Sequence, residues 1–361
     1  MSCLSLSANS TASMIRRRRA PAFKDPAAAA DGKGMRALLG AAAAALLMTS
    51  SAAAAAPAPG TWNRAEQRAV ADAGVLPDLD DGAFHGERPL DGHQLQGALG
   101  ALAARAGVAA VPAPVGRVTV AGFDRLLVEQ LGLGDVVAAV QAQARGAGLD
   151  PPPRFGGEVV ARLLGLRFDH PPADEREELY PWEPITRAEA AHSLARVLAF
   201  GGWEVQAARD ALSRFVLPRY GARQRAVLRI AVARIGMPYV WGGTLDRPGG
   251  WQVRGGFDCS GLVWRVFKAT GLARIGGRTA AQQAGEIRRA QRLRLTQVRP
   301  ADLLFFGRGR FWQKATERRI VHEGIALSPD WMIHASDQGV YVSPLFDGWR
   351  RHEFSWARGV L

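Results

Sequence analysis

Cysteine is all but missing from this chain: 361 residues hold two, Cys3 and Cys259. That excludes a disulfide-stapled scaffold and a cysteine-built zinc site, both of which need several thiols at set spacings. No His/Cys cluster has metal-ligand spacing either, and Asp78, Asp80 and Asp81 lack the spacing of a calcium loop, so no metal or cofactor is expected. Acidic residues are scarce in one half. From residue 221 onward 23 Lys and Arg face 10 Asp and Glu, which accounts for the +13 of the whole chain and leaves the first 220 residues balanced. A basic half draws anionic polymers and peptide carboxylates. Nucleic acid would be drawn alike, but none of its usual binding motifs is present, and it is not expected as a partner. Long apolar runs are few. The run 37–48 follows Met35-Arg36, precedes the small residues of 51–56, and is too short for a membrane span. It reads as an export signal. The expectation is an upstream extension at 1–34 that is not translated, a signal peptide at 35–56, and a secreted product with no membrane partner once the signal is removed. Cys3 leaves with it, and Cys259 remains as the one thiol.

What is present centres on that thiol. In Phe257-Asp258-Cys259-Ser260-Gly261, Asp258 is a helix N-cap, the run Leu262-Val263-Trp264-Arg265-Val266-Phe267 has helical character, and Gly271 stands where a C-cap ends it. Cys259 then lies in the first turn, where unpaired N–H groups and the helix dipole favour thiolate. Two histidines follow, His322 in Val321-His322-Glu323-Gly324-Ile325-Ala326-Leu327 and His334 in Trp331-Met332-Ile333-His334-Ala335-Ser336, with the turn signal Ser328-Pro329-Asp330 between them. A hairpin centred on Ser328 sets the two imidazoles opposite one another on one face. Such a trio suits nucleophile, base and orienter: Cys259 attacks, His322 takes its proton, and His334 fixes the His322 ring. Strand alternation turns Glu323 away from His322.

These residues carry a resemblance. Ile235-Gly236-Met237-Pro238-Tyr239-Val240-Trp241-Gly242-Gly243, the Cys259 segment, Arg278-Thr279-Ala280-Ala281-Gln282-Gln283, Arg299-Pro300-Ala301-Asp302-Leu303-Leu304-Phe305-Phe306 and both histidine segments resemble, in that order, the NlpC-type cell-wall cysteine endopeptidases. The resemblance implies an α+β, papain-like domain at 220–361, its cysteine helix packed on an antiparallel sheet. It implies hydrolysis of peptidoglycan stem peptides, commonly between D-glutamate and a diamino acid, with Cys259, His322 and His334 catalytic. Tyr239 would assist the oxyanion, and Asp258 and Ser260 would line the substrate cleft. Two departures stand out: Glu323 where the family strand is apolar, and a long Gly-rich interval between Gly243 and Phe257, which reads as a flexible cleft rim. The Arg-rich interval between Phe306 and His322 reads as a solvated charge run.

Residues 57–219 are Ala/Leu-rich with helical periodicity and form the expected second, mainly helical domain. In its clearest unit Thr186 and Glu189 make a capping box, followed by the stripe Ala190, Leu194, Val197 and Leu198. An earlier unit, Pro89-Leu90-Asp91 with Leu95, Leu99 and Leu102, repeats it at an offset of 95, and Val118-Thr119-Val120 forms a faint middle unit. The pattern resembles S-layer-homology repeats, which implies a wall-associated protein that holds anionic wall polysaccharide through Arg187. Two other readings share the sequence: an inactive wall-binding module, and an amidase or acyltransferase on the same thiol scaffold.

Overall fold

The computed structural model describes residues 62–361 except 172, 346 and 347, and leaves the Trp349 side chain aside. The expected extension, signal peptide and Cys3 lie outside the described residues. Within them the N-terminal half is helical: α1 (Arg64–Asp72), α2 (Gly92–Ala106), α3 (Val120–Gln130), α4 (Gly134–Gly146), α5 (Phe155–Leu163), α6 (Arg187–Leu198) and α7 (Glu204–Leu212). Three of these start alike. Asp91, Thr119 and Thr186 each accept a hydrogen bond from the N–H three residues on, which satisfies donors that a helix start leaves open. The segments before the caps pair with one another, Pro89 with Thr186, Asp91 with Arg117 and Thr119 with Pro184, so the three units read in sequence meet in space. Leu90, Val118 and Ile185 are buried at that meeting. The capping box at Thr186 is only half formed. Glu189 is buried and serves Arg167 at 2.8 Å and the His170 ring at 2.6 Å instead, because a guanidinium is a stronger partner for a buried carboxylate than one main-chain N–H. Of the stripe, Ala190 and Leu194 reach the core, while Val197 and Leu198 are half-buried.

The C-terminal half opens with α8 (Ala222–Val232) and the short pair β1 (Thr244–Leu245) and β2 (Gly256–Phe257). Then come α9 (Cys259–Thr270), α10 (Ala280–Gly285), β3 (Arg292–Leu293), β4 (Leu303–Phe306), β5 (His322–Ala326), β6 (Trp331–Ser336), β7 (Gly339–Pro344), α11 (Gly348–Glu353) and β8 (Phe354–Arg358). Six strands make one antiparallel sheet in the order β3-β8-β4-β5-β6-β7, and α9 packs on β5 and β6. The strands alternate cleanly. Phe305, Ile325 and Ile333 join the α9 core, whereas Phe306, Ala326 and Met332 form a second cluster with Leu345 and Ala357 on the other face. This is the α+β arrangement, a cysteine helix on an antiparallel sheet, preceded by helices.

The hairpin register differs from expectation. Ile325 faces Ile333 and Ala326 faces Met332, so the turn is centred on Pro329 rather than Ser328. Leu327 and Ser328 N–H both donate to the Trp331 carbonyl, and Asp330 N–H donates to the Ser328 hydroxyl, which closes a three-residue turn one position later. His334 therefore lies diagonal to His322.

The two halves lie within one compact unit. Arg154 donates to the Ile235 and Ala233 carbonyls at 3.1 and 3.0 Å, and the Trp331 indole to Arg214 O at 3.1 Å. Arg162 is paired with Glu158 at 2.9 Å, both buried, and also donates to the Gln338 carbonyl in the C-terminal half. The Gly-rich rim is pinned as well. Arg254 meets both Glu183 oxygens at 3.0 Å and Gly255 N–H donates to the Tyr180 hydroxyl at 2.7 Å, so a loop with six glycines between Gly242 and Gly256 is tied to the helical half.

Candidate active site

Cys259 is the first residue of α9, as its cap predicts: Asp258 accepts from Gly261 N–H at 2.6 Å, and Gly271 in the left-handed region (φ 63°) ends the helix. Asp258 is itself held. It accepts from Gly242 N–H at 3.0 Å and from both Arg278 terminal nitrogens at 3.0 and 2.8 Å, while Arg278 also donates to the Ser260 hydroxyl at 2.9 Å. Asp258 and Ser260 are thus joined through Arg278, a residue that sequence reasoning left without a role. Its carriage on the same segment as Gln283, which donates to Ser260 O at 3.1 Å, was the available signal.

The thiol accepts from the Glu323 and Ser260 main-chain N–H groups, which sets the sulfur against the peptide that follows His322. It is buried, and burial, then the Asp258 charge, push its pKa well up. The helix terminus alone does not yield thiolate here, since desolvation of the charged form outweighs it. Cys259 therefore rests as the neutral thiol.

An imidazole pair adjoins the peptide that the sulfur meets. His322 Nε2 is 2.8 Å from His334 Nδ1, and His334 Nε2 is 2.7 Å from the Ser343 hydroxyl on β7. The diagonal contact is possible because residue 324 is glycine: a Cβ there would come 3.0 Å from His334 Cβ and 3.1 Å from Met332 Sδ. Burial, then Arg350, hold His322 down at about 3, and burial, then His322, hold the fully buried His334 well below its ordinary value. Both rings are neutral near pH 7, each with one N–H and one lone pair. The Ser343 hydroxyl can accept or donate, and the order of protons along the relay depends on which it does. If Ser343 accepts from His334 Nε2–H, His334 Nδ1 must accept from His322 Nε2–H, and His322 Nδ1 carries the lone pair. Ser343 was not legible in sequence because its contact runs across two strands.

Tyr239 precedes this cluster, bridged to Phe257, with its pKa pushed up by burial and then by Cys259, so the phenol keeps its proton and can donate. Asp169 of the helical half accepts from Tyr239 N–H; burial, then Glu178, push it up to about 10. Glu323 follows the alternation and turns from His322 toward the α9 side. It is fully buried, neither carboxyl oxygen has a hydrogen-bond partner, and burial, then Asp258, raise its pKa well above the usual range. Arg187 stands apart from all of these. Its guanidinium is buried, donates to Phe84 O at 2.8 Å and Pro77 O at 2.6 Å, and rests 4.6 Å from the Phe84 ring centre.

A thiol that opens a helix and an imidazole pair on neighbouring strands thus lie in one α+β domain. Residues 236–358 match the NlpC/P60 family, and the C-terminal region carries a domain of that family. The chain is 35% identical over 133 residues to the bifunctional muramidase/DL-endopeptidase CwlT of Bacillus subtilis, a match covering 37% of this chain and 35% of that protein. It is 31% identical over 134 residues to the murein DD-endopeptidase MepH of Escherichia coli, covering 36% and 42%. The chain thus spans well under half the length of these relatives. Among solved structures, the P60 domain of an antigen from M. avium subspecies paratuberculosis is similar at 26% identity, covering 38% of this chain and 96% of that one with a TM-score of 0.30.

Proposed function

We propose that this protein is a peptidoglycan hydrolase that cleaves a peptide bond of the stem peptide, between D-glutamate and a diamino acid, through Cys259, His322 and His334. The observation that carries the reading is the relay from Ser343 through His334 to His322, which ends at the peptide against which the Cys259 sulfur lies. His322 Nδ1 takes the thiol proton as sulfur attacks the amide carbonyl. The oxyanion is met by Cys259 N–H and the Tyr239 hydroxyl, protonated His322 gives its proton to the departing amine, and water hydrolyses the thioester. Asp258 and Ser260, held by Arg278, shape the cleft beside the nucleophile. The names of the relatives, endopeptidases of murein, support the substrate class. The basic charge of residues 221–361 supports attraction to an anionic wall, and a secreted, wall-associated protein follows from that substrate.

For the helical half, the three-way pairing of capped segments supports the repeat reading. Arg187, enclosed and satisfied by two carbonyls, acts as an internal tie rather than as a contact for anionic polysaccharide.

The test is digestion of purified peptidoglycan by the full chain, with mass spectrometry of the released fragments. The parent protein releases peptides cut at one bond, and Cys259→Ala releases none. Undiminished release by Cys259→Ala removes the thiol mechanism.

A further inference from the structure

A groove of about 610 Å³ opens where the two halves meet, lined by Tyr180 and Trp182 from the helical half and by Arg234, Met237, Asp246 and Arg247 from the catalytic half. Its size lies within the range of about 300–1,000 Å³ typical of ligand sites. The aromatic wall is rigid. Trp182 stacks on Tyr180 with ring centres 5.0 Å apart and planes 10° apart, and Tyr180 is fixed by Gly255 N–H on its hydroxyl and by the Arg254 guanidinium 4.9 Å from its ring centre. Yet Trp182 is 56% exposed. Tyr180 and the Arg154 guanidinium, 5.9 Å from its ring centre, already meet the indole, and the part left open to water is apolar area that a partner can cover.

Opposite it, Asp246 is oriented by Arg234 at 2.8 Å and Arg265 at 2.6 Å. One carboxylate between two guanidiniums, with Arg247 beside them, leaves this wall net positive, and it offers guanidinium donors beside carboxylate acceptors. Flat apolar face plus paired donors and acceptors matches a sugar ring, whose C–H face stacks on indole while its hydroxyl and acetamido groups take the hydrogen bonds. The loop on the groove's rim is linked by contacts to the residue before the thiol. The rim loop that carries Asp246 and Arg247 carries Trp251, 64% exposed, whose ring would lie 3.2 Å from a Cβ on Gly242, and Gly242 N–H donates to Asp258 next to Cys259. Trp241, 70% exposed, adjoins Gly242.

We propose that this groove binds the glycan strand of peptidoglycan, an N-acetylated saccharide chain stacked on Trp182, and so holds the attached stem peptide near Cys259. The inference rests on the reading of Cys259 as the peptidase nucleophile. It makes the helical half part of substrate recognition, because the aromatic wall belongs to that half and the polar wall to the other.

The experiment uses the full chain carrying Cys259→Ala, with and without Trp182→Ala, and N-acetylglucosamine oligomers as the probe, followed by tryptophan fluorescence and by co-sedimentation with peptide-free glycan strands. The expected result is saturable binding weakened at least tenfold by Trp182→Ala and largely restored by Trp182→Phe, which also shows that the fold tolerates change at the site. In the active chain, Trp182→Ala raises KM for intact peptidoglycan at least tenfold more than KM for a free stem peptide. No binding of either probe, or equal binding by the parent and Trp182→Ala, overturns the proposal. Cleavage of free stem peptide by the parent alongside such a result strikes only the groove, whereas failure to cleave that peptide strikes the peptidase reading itself.

Discussion

Glu323 shows how one residue loads a site with a cost that its own strand does not relieve. Its carboxyl is buried among Phe305-side packing, faced by Asp258 and Arg278 from the α9 side, Glu286 beyond α10 and Arg358 on β8, and bonded to none of them. The fold therefore prefers the neutral acid. With its pKa above the unfolded value of about 4.3, the folded state binds more protons than the unfolded one as pH rises from that value. The contribution is fully present below the unfolded pKa and is lost toward the raised folded pKa, at roughly 1.4 kcal/mol per pH unit. Glu323→Gln removes the titration. Urea unfolding from pH 5 to 8 is expected to show the variant gaining on the parent with each unit, and parallel stability curves would contradict this account.

At the scale of elements, the relay is a product of three neighbouring strands in a fixed register. β5 supplies His322, β6 His334 and β7 Ser343, and a one-residue slip of β6 would turn His334 to the α9 face. Ser343→Ala keeps the strand and removes the hydrogen-bond partner of His334 Nε2. We expect the variant to fold as the parent does, with kcat reduced on the order of tenfold to a hundredfold and KM little changed, as for loss of a group that orients a base. Steady-state kinetics on a stem peptide measure it, and an unchanged kcat would show that the two imidazoles orient themselves. The thiol and both histidines were legible in the sequence from the cap, the apolar run and the turn signal. The diagonal contact was not, because the turn signal Ser328-Pro329-Asp330 admits two centres, and only the cross-strand hydrogen bonds choose between them.

For the whole molecule, buried polar ties join what composition divides. Proline linkers and a change from balanced to basic charge suggest two separable parts, yet bonds from Arg154, Arg162, Tyr180, Glu183 and Arg214 join one to the other. Heat is accordingly expected to unfold the described residues in one cooperative transition. Arg162→Ala leaves Glu158 charged and buried without its partner, a loss of about 3–5 kcal/mol. Calorimetry of the full chain should show that single transition move down intact, and separation into two transitions in the parent would refute the coupling.

The sequence by itself determined several elements: where α9 starts, that Cys259 opens it, that the two histidine segments are strands, and that helices precede a basic α+β region. These depend on neighbours a few residues away, through caps, periodicity and turn chemistry. Only the tertiary structure decided that Ser343 and Arg278 support the site, that Glu323 is buried uncharged on the thiol's side of the sheet, that Arg187 is enclosed, and that Tyr180 and Trp182 wall a groove with Asp246. Each of those facts depends on desolvation or on a partner far along the chain, and neither exists until the halves pack.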